Sequence, residues 1–174
     1  MKKFFSQKGF TLLETFVAVA ILVMVVSGPV SLAITSMGLA SVSQNQLVAS
    51  YLGQEGVEII RNIRDGNFIN NRSWLSGLGP CSNINNGCYI DVNSLNFNAI
   101  SCGVKCPVLK YDSNLNVPYN YSSGQDTIFT RIITVDPVPG KTDEAEIKVT
   151  VSWSEKYQDT KSFVIQENIF DWKP

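Results

Sequence analysis

The sequence predicts an α+β fold, with a long N-terminal helix packed on a C-terminal antiparallel β-sheet. Three observations carry that prediction. No charged residue occurs from Thr15 to Gln54, a run rich in Val, Ala, Leu and Ile. Beyond Ala40, Val48, Leu52, Gly56, Ile59 and Ile63 recur at helical spacing, with Tyr51 and Ile60 beside them. Near the C-terminus, Ala145, Ile147, Val149, Val151 and Trp153 alternate with Glu146, Lys148, Thr150, Ser152 and Ser154, the period of a half-buried strand.

In chain order, residues 1–9 are short, polar and basic, with Lys2, Lys3 and Lys8. The apolar core, residues 10–39, exceeds the roughly 20 residues that span a bilayer. Lysines on its N-terminal side stay cytoplasmic under the positive-inside rule, which places the C-terminal body outside. Glu14 is the one charge at the head of this run. A carboxylate at the centre of a membrane helix costs about 3 kcal/mol on insertion scales, so its presence implies a partner. Ser27-Gly28-Pro29 interrupts the run, and Pro29 removes a helical hydrogen bond and predicts a kink that membrane helices tolerate.

Beyond Ala40 the helix becomes amphipathic and is expected to continue to about residue 65. Arg61 and Asp65, at i and i+4, are spaced to pair on its exposed side. Asp65-Gly66-Asn67 reads as its C-terminus, with Gly66 the left-handed residue. A helix from Thr11 to Arg64 would be on the order of 80 Å long at 1.5 Å per residue.

Residues 66–126 read as loops, with short apolar pieces at Cys88–Val92 and Val108–Tyr111 as edge strands. This stretch contains all 4 cysteines, Cys81, Cys88, Cys102 and Cys106. An even count in an exported, loop-rich segment predicts two disulfides, for which sequence allows three connectivities. Cys81–Cys88 and Cys102–Cys106 are favoured because both are local and both close short loops containing Gly. A zinc site is disfavoured, since only the second pair has metal-binding spacing. The sheet follows over residues 127–172. Thr127–Val135, Ala145–Trp153 and Thr160–Phe170, separated by turn residues, read as an antiparallel meander. The alternation of the last run is imperfect around Glu167.

The N-terminus also carries a resemblance. Gly9-Phe10-Thr11-Leu12-Leu13-Glu14, behind a basic leader and ahead of the apolar run, resembles the cleavage and methylation signature of type IV pilins and type II secretion pseudopilins. The resemblance implies that a prepilin peptidase cuts between Gly9 and Phe10 and N-methylates Phe10. It implies that Glu14 registers each incoming subunit, its carboxylate meeting the new amino group of a neighbouring chain. It also implies a pilin-like layout of helix on sheet, the layout that the residue patterns predict by themselves. A second stretch, Leu52 to Asp65, is similar to a segment of minor-pilin-like and pseudopilin-like proteins. Expected partners are the prepilin peptidase, other pilin subunits, the pilus or secretion assembly platform and membrane lipid. The expected location is the cytoplasmic membrane and then an extracytoplasmic filament.

Composition narrows the chemistry. The 174 residues make one domain plus a membrane segment. Without the three leader lysines, 11 basic side chains face 15 acidic ones, a net −4. No basic cluster is present, so no nucleic acid is expected as a partner. There is no histidine, which removes the commonest general base and metal ligand. No catalytic residue, cofactor or metal is assigned. Asp143, Glu144 and Glu146 read as a solvated turn, and Asp91 and Asp112 lack calcium-loop spacing. Trp153 and Trp172 read as core residues.

The expected function is therefore that of a structural subunit, minor-pilin-like, of a type IV pilus or related filament. An alternative in the same family is a pseudopilin of a secretion or DNA-uptake system. From another class, the alternative is a membrane-anchored extracellular binding protein or adhesin that never polymerises.

Overall fold

A computed structural model describes residues 9–82, 86–94, 97–154 and 159–172. The leader lysines Lys2, Lys3 and Lys8 lie outside the described residues. The chain divides into two compact units, Met1–Asn45 and Gln46–Pro174. One helix, α1 (Leu12–Ile69), runs through the first and enters the second.

In the first unit α1 is apolar and uncovered. None of the described residues up to Asn45 is buried, and Phe10, Leu12, Phe16, Met24, Leu32 and Met37 are each at least 70% exposed. The helix is long and apolar enough to cross a membrane. Pro29 lies within it, and the helix continues on both sides. The missing Pro29 N–H leaves the Val25 carbonyl without its i+4 donor.

In the second unit the C-terminal part of α1 packs on a seven-stranded antiparallel sheet. The strands are β1 (Cys88–Ile90), β2 (Ala99–Ser101), β3 (Val108–Tyr111), β4 (Tyr119–Asn120), β5 (Gln125–Pro137), β6 (Glu144–Trp153) and β7 (Lys161–Phe170). A meander of β5, β6 and β7 forms its body, with Ile133 opposite Val149 and Val149 opposite Ile165. On the helix, Ala49, Leu52, Val57, Ile59 and Ile60 are buried. On the sheet, Ile133, Val135, Ile147, Val149, Val151 and Trp153 join them in one core. Alternation puts the odd-numbered residues of all three strands on the helix side.

Four expectations are corrected. First, β1 and β3 are not edge strands. Both pair with β5, along the margin opposite β6, and β2 and β4 lie outside them. The supposed loop region thus satisfies backbone polar groups through β5, which is long enough to host two partners on one side. Second, α1 does not stop near residue 65. Gly66 remains helical and Asn71 takes the left-handed position at φ 52°. Arg72 N donates to Asn67 O at 2.9 Å and Asn71 N to Phe68 O at 3.1 Å, the paired bonds of a Schellman cap. Third, Arg61 does not pair with Asp65. Glu167, carried by β7, receives its Nε and Nη2 at 3.0 and 2.8 Å, and Glu58 receives its Nη1 at 2.6 Å. Asp65 pairs with Arg64 instead. This also explains the broken alternation of β7, since Glu167 occupies an inward position that an apolar residue would otherwise fill. Fourth, Trp172 is half exposed, its ring 4.8 Å from that of Phe68 and close to Arg64.

Candidate functional site

The N-terminal motif lies where the backbone changes state. Gly9, Phe10 and Thr11 are non-helical, and α1 begins at Leu12. Thr11 caps the helix, its Oγ1 accepting from Glu14 N at 3.3 Å, while Thr15 N donates to Thr11 O at 3.2 Å. Threonine at this position with Glu three residues later has the spacing of a capping box. Glu14 also sits in the first turn, where a negative charge complements the helix dipole. The Gly9–Phe10 bond is therefore an exposed, non-helical peptide placed before a capped helix. Proteolysis needs an extended segment, and a helical one would first have to unwind.

Glu14 is exposed, as are its apolar neighbours Leu12, Leu13 and Phe16. Among the described residues of its unit, none covers this surface. The charge-free length of α1 begins directly behind it. The sequence reading named Gly9, Phe10 and Glu14 but missed Thr11 as the cap. The Thr-x-x-Glu spacing was the signal that could have found it.

In the second unit the cysteines form Cys81–Cys88 and Cys102–Cys106. The two bonds flank the β1–β2 hairpin, in which Cys88 lies opposite Ser101. Gly87, at φ +59°, allows the entry into β1, and a Cβ there would lie 2.7 Å from the Ile133 carbonyl oxygen. All four cysteines are buried.

Sequence reasoning missed a buried ion pair. Arg131 on β5 is fully buried, and its Nη1 donates to Glu55 Oε2 at 2.5 Å and to Leu52 O at 3.2 Å. Its Nη2 donates to Ile90 O at 3.4 Å. Glu144 is also buried, contrary to the solvated-turn reading, because it accepts from Lys141 and from Asn168. Asp91 and Asp112 are loop hydrogen-bond acceptors, and Asp91 Oδ2 also accepts from Tyr121 N at 3.3 Å. Asp91 Oδ1 accepts from Asn93 N, and Asp112 Oδ1 from Asn114 N, at 3.1 and 3.0 Å. The bond from Asn114 N, then those from the Ser123 hydroxyl and the Asn114 side chain, hold the Asp112 carboxyl below the usual carboxylate range. Among the described residues no group of three or more His, Cys, Asp or Glu side chains is placed to hold a metal ion.

No protein-family model, no curated protein and no solved structure matches the chain.

Proposed function

We propose that this chain is a structural subunit, minor-pilin-like, of a type IV pilus or related helical filament. It is made as a precursor held in the cytoplasmic membrane by α1, with its N-terminus in the cytoplasm. A prepilin peptidase cuts it after Gly9 and methylates the new terminus at Phe10. The mature subunit then enters a filament through α1 and displays its β-domain outside.

The observation that carries this reading is the head of α1. There an exposed, non-helical Gly9–Phe10 bond stands before a capped helix whose first turn holds the last charge for forty residues, from Thr15 to Gln54. An exposed apolar helix needs cover, since large apolar patches are unfavourable in water. Lipid supplies that cover before assembly, and the helices of other subunits supply it afterwards. In either setting Glu14 needs a cation, and the cut creates one at Phe10. Pairing between one subunit's Glu14 and another's terminal amine fixes their relative height, because a one-residue slip separates the charges.

Glu14→Ala tests the assembly role. Membrane insertion and cleavage are expected to match wild type, while incorporation into sheared filaments falls at least tenfold. Wild-type incorporation of the alanine variant would sink the registry role.

A further inference from the structure

The turn between β5 and β6 places a buried carboxylate against two different nitrogen groups. Val138 N donates to Glu144 O at 3.0 Å and closes the turn. The Glu144 side chain is 8% exposed. Its Oε2 accepts from the Lys141 ammonium, and its Oε1 accepts from Asn168 Nδ2 at 2.6 Å. Lys141 belongs to the turn. Asn168 belongs to β7 and lies opposite Glu146, one pleat along from Glu144. One carboxylate therefore holds an amine on one oxygen and a carboxamide on the other.

We propose that Lys141 and Asn168 become joined by an intramolecular isopeptide bond, with Glu144 carrying the protons. The two reactants are hydrogen-bonded to the two oxygens of one carboxylate, which holds them in one neighbourhood in place of an encounter in solution. Glu144, which bonds both, is an acid–base residue. Each of the pair holds the other in its charged form at rest: the Lys141 amine is raised by its hydrogen bond to Glu144, and the Glu144 carboxyl is lowered by the same bond. Transfer of one proton along that bond gives a neutral amine and a neutral carboxylic acid, the nucleophile and the acid that the reaction uses. Lys141 Nζ attacks Asn168 Cγ, and the carbonyl electron pair moves onto Oδ1. As that pair returns, the Cγ–Nδ2 bond breaks. Glu144 delivers its proton to the departing nitrogen and takes one from Nζ, then releases it to the ammonia. The balance is an alkylammonium and a primary amide giving a secondary amide and ammonium. No oxidant, reductant or co-reactant is consumed.

The link would tie the last strand to the body of the sheet. Among the described residues β7 pairs only with β6, so this end of the strand otherwise depends on its ladder, the Asn168–Glu144 hydrogen bond and its inward side chains. A covalent bond to the β5–β6 turn would prevent β7 from peeling away, a property useful to a domain displayed outside a cell. The chemistry does not depend on filament assembly.

The test is the intact mass of the full-length protein in detergent, held overnight and then reduced at its disulfides, with its N-terminus determined separately. The expected mass is lighter than the sequence mass by one ammonia, and digestion yields a branched peptide joining Lys141 to Asn168. Lys141→Arg, which keeps the charge at an exposed position, and Glu144→Gln are each expected to restore the full mass and abolish the branched peptide. A wild-type protein at full mass, with Lys141 open to acetylating reagent, overturns the proposal. So does an ammonia loss that persists in Lys141→Arg or yields no branched peptide, because that signature belongs to a succinimide.

Discussion

Arg131 carries a full charge at a position with no exposure. Sequence periodicity places it on the inward face with Phe129, Ile133 and Val135, whereas its charge argues for the outward one. The conflict is resolved by Glu55, 76 residues away in sequence and on α1. No local pattern reveals such a pair, since its two halves meet only after the helix lies on the sheet. Glu55→Ala would leave the guanidinium buried with the Leu52 and Ile90 carbonyls and the Tyr121 ring, and no carboxylate, beside it. The expected loss is about 3 kcal/mol, the low end for a broken buried pair because Glu55 retains some solvent contact. Denaturant melts of the detergent-solubilised chain check this. The double change Glu55→Gln with Arg131→Met is expected to lose less than Glu55→Ala alone, because it removes the stranded charge.

At the scale of elements, the glycines of α1 differ by what faces them. A Cβ on Gly56 would meet Val149 Cγ1 at 2.8 Å and Arg131 Cδ at 3.3 Å, whereas a Cβ on Gly66 would meet nothing within 4 Å. Alanine gains about 1 kcal/mol of helix propensity at either position. Overpacking costs about 1–3 kcal/mol. Gly56→Ala is therefore expected to destabilise and Gly66→Ala to stabilise, read as opposite shifts in melting temperature. The same contrast explains the misplaced helix end. Gly66 has the composition of a stop signal, but Asn71 five residues later supplies the left-handed residue and the paired cap bonds.

The strands show a similar limit. β5, β6 and β7 are long enough for their period to be visible, and their observed ends fall within two residues of the expected ones. β2 and β4 have three and two residues and show no period at all. They exist because β1 and β3 offer them free margins. On the outer face of the sheet, Asp136 lies opposite Glu146. Desolvation and then the Glu146 charge raise the Asp136 carboxyl above its ordinary value. A raised acid binds its proton more tightly in the folded state, so the pair opposes folding above that raised value and the opposition fades as pH falls through it. Asp136→Asn is expected to stabilise the neutral-pH protein by a few tenths of a kcal/mol. That gain should shrink on acidification, a trend that melts across a pH series would follow.

At the scale of the whole molecule, the chain combines one unit that has no buried residue among those described with a second that has an ordinary core. The first unit was legible in the sequence because its signal is compositional and continuous. The second was legible only where the periodicity was long. Its Arg131–Glu55 and Arg61–Glu167 ion pairs and the second margin of β5 depend on contacts between distant residues. The central claim rests on the bond between Gly9 and Phe10. It is tested most directly by the N-terminal sequence and intact mass of the membrane-extracted protein, made alongside an active prepilin peptidase. A start at N-methylated Phe10 is the predicted result. A start at Met1, with the leader intact beside a peptidase that cuts a control substrate, would contradict the account and favour a membrane-anchored protein that never enters a filament.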